Sequence, residues 1–446
     1  MASKGIEDEV YFEKDLTVFP LEQFDLKFNR PDIVLARLGY ADSTLLSAFH
    51  HAYLKRIKKL GFTEEMLKDD FHLPSIEIEN LKFIPKQTSD STINLELNMK
   101  DDKYLLDRVN VWINDVAIYG QLGVSLKEKN TKESKYTLTI QLAKGSNKIQ
   151  VSVLNQSGAE SYKETFEVNC TNGKLKNNLY LISIGAGDYL AEDYNLSYAA
   201  KDAKDIATLM KNSKVYNEVK TLTLINSEVK KEMLQSMNDF LANAGINDEV
   251  IVFFAGHGVL NEDLDYFLAM HDMDFENPDL KGLSYDDMEN VLDGIKPLKK
   301  VLMIDACHSG EIDKEYIELA NNTQQETGEV QFRSVGKALS PKLGLHNVSE
   351  LTQSLFSDLR KGTGATVISA AGGMEFAMES STLQNGLFTY CFIDGITSGK
   401  ADLNGDGEIW LKEIQKYVQD QVYKKSEGQQ KPTNRIENNT LNYRIW

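Results

Sequence analysis

Apolar positions recur along this chain with three different rhythms. Between residues 46 and 60, Leu46, Phe49, Tyr53, Ile57 and Leu60 return every three or four residues, which places them on one face of a helix. His50 and His51 fall off that face, and solvated positions are expected for them. From about Pro74 to Cys170 the step is two. Ile93, Leu95, Leu97 and Met99 share one face, as do Val109, Val111 and Ile113, and then Leu138, Ile140 and Leu142. KGSN at 144–147 separates two such runs and NQSG at 155–158 ends the next, both turn signals. Short strands at this spacing predict a small all-β sandwich over 74–172, with Trp112 in its core and no titratable cluster. Its expected role is therefore spacing, binding or structural bracing.

After Asn178 strands and helices alternate, which predicts an α/β domain over 177–446 with a mostly parallel sheet and helices on both faces. Strands are expected near 179–184, 219–224, 249–254, 300–304 and 365–370. Helices are expected at about 199–211, 230–243, 285–295, 349–361, 387–396 and 409–424. The stretch 311–347 breaks the rhythm; it is polar and aperiodic, and a mobile linker is the physical expectation. With residues 1–73 as a helical N-terminal segment, three domains result.

Composition narrows the function. A formal charge of −18 argues against nucleic acid as a partner, because that needs a basic stripe to displace counterions. The three cysteines, at 170, 307 and 391, are too few and scattered for a disulfide framework and fit a reducing compartment. No apolar run approaches the ~18 residues of a membrane span, and MASKGIEDEV has no apolar signal core. A soluble, cytoplasmic protein is the expectation.

The candidate chemistry sits at two strand ends. In KVLMIDACHSG, residues 300–310, the run Val301–Ile304 reads as a buried parallel strand, and Cys307 follows at its carboxyl edge. Val250–Phe254 ends in AGHG and delivers His257 to the same edge, where open α/β sheets bind ligands. An imidazole beside a thiol raises the thiolate fraction and can later protonate a leaving amine. Backbone N–H groups of Cys307 and Gly258 could hold the oxyanion, and the glycines at 256, 258 and 310 would let backbone approach a substrate. The alternatives are an inert buried Cys with a bystander His, and a metal bound by Cys307, His308 and His257, which lacks ligand spacing. Asp305, two residues before Cys307, either faces the pocket or caps a turn.

A second constellation is DLNGDGEIWLKE, residues 402–413. It puts Asp402, Asn404, Asp406, Gly407, Glu408 and Glu413 at positions 1, 3, 5, 6, 7 and 12 of a calcium loop between two expected helices. Oxygen ligands at those spacings can wrap Ca2+, with Gly407 permitting the sharp turn. An Asn/Asp/Gly turn formed for local reasons is the other reading.

From about Asn178 onward the chain resembles the caspase-like cysteine peptidases of the metacaspase branch, bacterial type. YLISIGAGDYL is similar to that family's first strand, LSYAAKDAKDIATLM to its first helix, VIVFFAGHG to its histidine strand and VLMIDACHSG to its cysteine strand. The resemblance implies an endopeptidase with a Cys307–His257 dyad acting on protein or peptide substrates. It brings Asp202 to the pocket, since KDA at 201–203 matches the family's NDA with Lys201 as a departure, and Ser369 to the substrate backbone. Two carboxylates, Asp202 and Asp305, would hold a Lys or Arg side chain by charge-assisted hydrogen bonds. Otherwise Asp202 lies on a solvated helix face. The resemblance also implies self-cleavage in 311–347, which offers Lys314, Arg333, Lys337 and Lys342, and stimulation by calcium. LAKGSNKIQVSVLNQSG resembles the late hairpin of an immunoglobulin-like domain, and FNRPDIVLARLG with AYLKRIKKLGF resembles a connector that precedes caspase-like domains in propeller-bearing proteins. A protein activator or upstream regulator is a further expected partner. Two rival readings remain: a catalytically silent scaffold that binds through its immunoglobulin-like domain, and a peptidase cutting after Asp, which an acidic pocket would repel.

Overall fold

The computed structural model describes residues 10–14, 16–39, 41–173, 177–261, 265–306, 330–332, 363–371, 377–436 and 442–446. Cys307, nearly all of the 311–347 linker and the helix expected at 349–361 lie outside the described residues. The chain divides into two compact units near Gly173.

The first unit opens with a hairpin the periodicity did not predict, β1 (Tyr11–Lys14) with β2 (Thr17–Pro20). Helices α1 (Pro31–Leu38) and α2 (Ser43–Lys59) follow. α2 buries Phe49, Tyr53 and Ile57 as the three- and four-residue step requires, with Leu45 rather than Leu46 completing the face. Tyr53, Ile57, Phe62 and Leu26 form one apolar cluster with Leu154 of the β-region, so packing is continuous across residues 73 and 74. His50 is not simply solvated: its Nδ1 lies 3.1 Å from the Asp32 carboxylate, which Arg30 also grips through two bonds of 2.9 and 2.7 Å.

The β-region contains β3 (Ser75–Ile78), β4 (Thr92–Lys100), β5 (Leu106–Ile113), β6 (Glu133–Gln141), β7 (Gly145–Asn155) and β8 (Glu164–Cys170). β3, β4 and β6 make one antiparallel sheet; β5, β7 and β8 make the antiparallel centre of another. All three alternating apolar sets named from the sequence are buried. KGSN, however, does not join paired strands. It carries the chain from one sheet to the other, and buried Asn147 fixes the crossing by accepting from the Ala143 amide and donating to the Ala143 and Gly145 carbonyls, at 2.8, 2.8 and 2.9 Å. The hairpin lies at NQSG, between β7 and β8. Trp112 is not core: it occupies the opposite face of β5 from Val109, Val111 and Ile113, half-buried under the Lys163 ammonium.

A titratable cluster is also present, contrary to expectation. Buried Asp101 accepts from the amides of Lys103 and Tyr104 at 2.8 and 2.7 Å, from Asn155 at 2.8 Å and from His72 at 2.7 Å. Burial pushes its carboxyl up, but the Tyr104, Asn155 and Lys103 bonds outweigh burial and hold it below the ordinary carboxylate range.

The second unit is the predicted α/β domain. In chain order it runs β9 (Leu179–Gly185), α3 (Ala199–Lys211), β10 (Val219–Ile225), α4 (Met233–Leu241), β11 (Glu249–Ala255), β12 (Gly258–Leu260), β13 (Tyr266–Leu268), α5 (Tyr285–Leu292) and β14 (Lys299–Asp305). It continues with β15 (Val330–Phe332), β16 (Thr366–Ser369), β17 (Met378–Ser380), β18 (Asn385–Gly386), α6 (Leu387–Thr397), α7 (Leu411–Lys425) and β19 (Thr433–Ile436). The central sheet has the order β10-β9-β11-β14-β16-β19, with five parallel strands and β19 antiparallel at one edge. β9, β11 and β14 are almost wholly buried, as apolar runs of a sheet covered on both faces must be. β15, β17 and β18 form a separate small sheet that the sequence did not announce.

Candidate active site

Strand order reverses between β9 and β11, because the chain leaves β9 for one side and returns on the other. Ligands bind beyond the carboxyl ends of strands at such a point. The register there is level: Gly185 pairs with Ala255 and Ala255 with Asp305, while Ser369 pairs with Ile304. His257 follows Ala255 by two residues, and Cys307 follows Asp305 by two. Paired residues on neighbouring strands are roughly 5 Å apart, so the strand ends at Ala255 and Asp305 lie side by side.

His257 is buried, and its environment fixes the tautomer of its neutral ring. Nε2 lies 2.8 Å from the Tyr194 carbonyl oxygen. A carbonyl can only accept, so in the neutral ring Nε2 carries the proton and Nδ1 is the basic nitrogen. The ring packs among Tyr189, Tyr194 and Phe275, with centroid separations of 5.4, 6.3 and 5.9 Å, and Tyr194 stacks on Phe275 at 4.0 Å. The Tyr189 hydroxyl donates to Ala186 O at 2.8 Å and accepts the His257 amide at 3.2 Å. Gly256 serves this packing as much as any ligand: a Cβ there would come within 3.1 Å of the Tyr189 hydroxyl and 2.9 Å of the Phe254 ring. Gly258 begins β12, opposite Leu268.

Asp202 is not on a solvated helix face. It is fully buried, and its carboxylate accepts the Gly386 amide at 3.1 Å and the Asn385 side chain at 2.8 Å. Asp305, equally buried, accepts from the Thr389 hydroxyl at 2.6 Å. Gly386 is the N-cap of α6 and Thr389 lies in its first turn, so both carboxylates sit against a helix N-terminus, where negative charge is favoured. A third buried carboxylate returns the favour: Glu379 accepts the amides of Ser197 and Tyr198, at 2.8 and 3.3 Å, just ahead of α3. Asp202 of α3 thus caps α6, and Glu379 ahead of α6 caps α3. The Lys201 ammonium points to Asp205, at 2.6 Å. Ser369 donates to Ala371 O at 3.0 Å. Sequence reading missed Asn385, Thr389, Glu379, Tyr194 and Phe275; the NG pair ahead of LFTYCF was the available signal for a turn into a helix.

The loop at 402–413 joins α6 to α7 as expected, and Gly407 takes a left-handed φ of +81°. Asp402 accepts from the amides of Gly405, Asp406 and Gly407 at 2.7, 3.1 and 2.8 Å. Glu413 accepts from Asn404 and Trp410 at 3.1 and 3.0 Å. Asn404 donates to Asp406 at 2.9 Å, and Glu408 pairs with Arg444 at 2.6 Å. Oxygens of the right kind are present at the right positions. Yet among the described residues the group with three carboxylate or imidazole ligand atoms within 4.8 Å of one another is His72, Asp101 and Asp102, not this loop. Its carboxylates are engaged with loop amides and with Arg444.

The caspase-domain family (Peptidase_C14) matches residues 180–443, more than half of the chain and all but the first residue of the central sheet. The chain belongs to that family. Its caspase domain is that of a caspase-like cysteine peptidase, an enzyme class that acts on proteins. Among solved structures, a structural-genomics protein from Geobacter sulfurreducens is similar over 58% of this chain and 92% of its own, at 14% identity and a TM-score of 0.38. Fibronectin(III)-like modules of Clostridium thermocellum CbhA are similar over 24% of this chain and 51% of their own, at 14% identity and a TM-score of 0.18. Both scores are too low to add to the fold seen here. No curated protein compared with the chain matches it. No described helix is long and apolar enough to cross a membrane.

Proposed function

We propose that the caspase domain is a cysteine endopeptidase in which Cys307 and His257 form a catalytic dyad and which cuts after Lys or Arg. The observation that carries this reading is the level register of Ala255 and Asp305, with His257 and Cys307 each two residues further on. His257 Nδ1, left basic by the bond from Nε2 to Tyr194, takes the thiol proton. The thiolate attacks the scissile carbonyl, and the amides of Cys307 and Gly258 hold the oxyanion. His257 then protonates the departing amine, and water hydrolyses the thioester. Asp202 and Asp305 select a basic side chain through charge-assisted bonds, and Ser369 meets the substrate backbone.

Further parts of the reading are the metacaspase branch, self-cleavage in the linker, a cytoplasmic setting and an upstream protein regulator. Ca2+ at Asp402, Asn404, Asp406, Glu408 and Glu413 would act through α6, whose first turn holds both pocket carboxylates. The two sheets of the β-region, each with an alternating buried face, support an immunoglobulin-like assignment. The deciding experiment is mass mapping of fragments from a peptide library treated with wild type, Cys307→Ala and His257→Ala. Cuts after Lys or Arg in wild type alone are expected; identical fragments from Cys307→Ala would sink the dyad.

A further inference from the structure

His257 is held at two points, and both holders are tyrosines. Its amide donates to the Tyr189 hydroxyl at 3.2 Å, and its Nε2 lies 2.8 Å from the Tyr194 carbonyl oxygen. The second holder is the less secure. Tyr194 ends a single 3₁₀ turn, Glu192–Tyr194, closed by bonds from the amides of Tyr194 and Asn195 to the carbonyls of Ala191 and Glu192. Glu192, Asp193 and Asn195 are exposed. A turn this short has poor hydrogen-bond geometry and little stiffness of its own, so packing must set the direction of its last carbonyl.

Phe275 touches both holders. Its ring stacks on Tyr194, with 4.0 Å between centroids and 16° between planes, and meets Tyr189 edge-on at 5.4 Å. It also stands 5.9 Å from the His257 imidazole, nearly perpendicular to it. Phe275 is buried, and a turn of its own fixes its place: Asp274 accepts from the Glu276 amide at 2.9 Å and from the Asn277 side chain at 2.8 Å. Just upstream, the Ala269 amide donates to the His257 carbonyl and the His271 carbonyl accepts the Leu190 amide, each at 2.9 Å. Residues 269–275 are therefore strapped to the same end of the site as the turn that carries Tyr194.

We propose that Phe275 is a positioning residue for His257: its ring holds the Tyr194 ring in place, and so keeps the Tyr194 carbonyl on Nε2–H and Nδ1 free to act as the base. The proposal rests on the peptidase reading above, in which that nitrogen takes the thiol proton. Phe275 touches no reacting atom and acts through Tyr194. A stacked aromatic pair contributes beyond the area it buries and fixes the planes of both rings. Leucine in place of either ring would fill part of the space without fixing a plane. Proton transfer depends on hydrogen-bond reach, and a displacement of about 1 Å in a positioned group can cost a hundredfold in rate.

The test uses the full chain with isotope-labelled histidine and reads the Nε2–H proton of His257 by NMR, identified by its loss in His257→Ala, beside kcat and KM on arginine reporter peptides. In wild type the proton should give a signal that exchanges slowly with water. Phe275→Leu should broaden that signal away and lower kcat about ten- to a hundredfold, with KM nearly unchanged. Tyr194→Leu, which keeps the carbonyl, removes the ring and lies on an exposed turn, should do the same and serves where Phe275→Leu does not fold. Tyr194→Phe should match wild type. Since the two rings make one contact, the double leucine variant should be no worse than either single. Leucine variants that keep both the proton signal and kcat overturn the proposal, as do single losses that multiply in the double, equal losses for Tyr194→Phe and Tyr194→Leu, or a wild type whose proton exchanges freely. A wild type that leaves the reporters intact overturns the peptidase reading instead, and the proton signal of the leucine variants then decides the positioning by itself.

Discussion

Asp101, in the N-terminal unit, draws two of its donors from the amides two and three residues further on. The buried carboxylates of the caspase domain reach much further: Asp202 to Gly386, 184 residues away, Asp305 to Thr389, 84 away, and Glu379 to Ser197, 182 away. The first arrangement builds a turn and can form as soon as that turn does. The second can form only after distant parts of the chain have come together, and each of its three links crosses the linker. Asp101 therefore speaks for local stability, and Asp202, Asp305 and Glu379 for the assembly of the candidate site. Substitutions in the two units should separate accordingly.

The largest separation is expected at the proposed dyad. Cys307→Ala should reduce hydrolysis of arginine reporters to background, and His257→Ala should cost about 10²- to 10⁴-fold, with thermal unfolding little changed for the cysteine variant. A cysteine variant that unfolds well below wild type would erase the distinction between assembly and chemistry. Next is Asp305→Asn, which keeps an acceptor for Thr389 but removes the charge. About a 10- to 100-fold loss of kcat/KM on arginine reporters is expected, from the worth of a charged hydrogen bond, with no comparable loss on neutral ones. Equal losses on both would make Asp305 a structural cap only.

In the N-terminal unit the pattern should invert. Asp101→Ala leaves buried donors unsatisfied and should lower that unit's stability by about 1–3 kcal/mol while reporter rates stay at wild type; calorimetry and kinetics on one preparation decide it. Acid should act on the same place. Asp32, Asp70 and Asp101 all lie below the ordinary carboxylate range, against burial that would raise them, because of bonds from Arg30, from Lys103 and Tyr104, and from the Tyr104 amide with Asn155. A depressed folded pKa gives stability that is complete above the unfolded value, about 3.9, and lost as pH falls through the folded one. The N-terminal transition should thus hold down to about pH 4 and move to lower temperature below it, and Asp101→Ala should blunt that dependence. The smallest effect is expected from calcium. Wild type should show binding heat that Asp406→Ala lacks, with only a modest change in reporter rate on chelation. No heat in wild type would remove the metal and leave the 402–413 loop a turn.

Periodicity carried most of the framework because burial imposes it. Five parallel strands and the helices at 199–211, 387–397 and 411–425 follow from runs such as Val250–Phe254 and from regular apolar steps. Short edge elements were not legible. β19 and the hairpin of β17 and β18 are two to four residues long, too brief for a period to register. KGSN signals a turn, but turn residues report that the chain bends, not which strand it meets next. At the site, His257 and Asp305 were legible from their place after apolar runs. Their partners were not, because a carbonyl such as that of Tyr194, or an amide such as that of Gly386, carries no side-chain signature in sequence.

The exchange of caps between α3 and α6 decides what a severed chain would be. Residues ahead of the break supply Asp202, Asp305 and the β14 edge; residues behind it supply Glu379, the first turn of α6 and β16, which pairs along that edge. Neither piece could depart without stripping a helix end on the other and splitting the central sheet between its fourth and fifth strands. A nick in the linker would therefore change the count of polypeptides and not the particle. Two bands would separate under denaturing conditions, while in native buffer the assembly would keep the size of the 50.3 kDa chain. The covalent link would be dispensable to a shape that its own former halves hold shut.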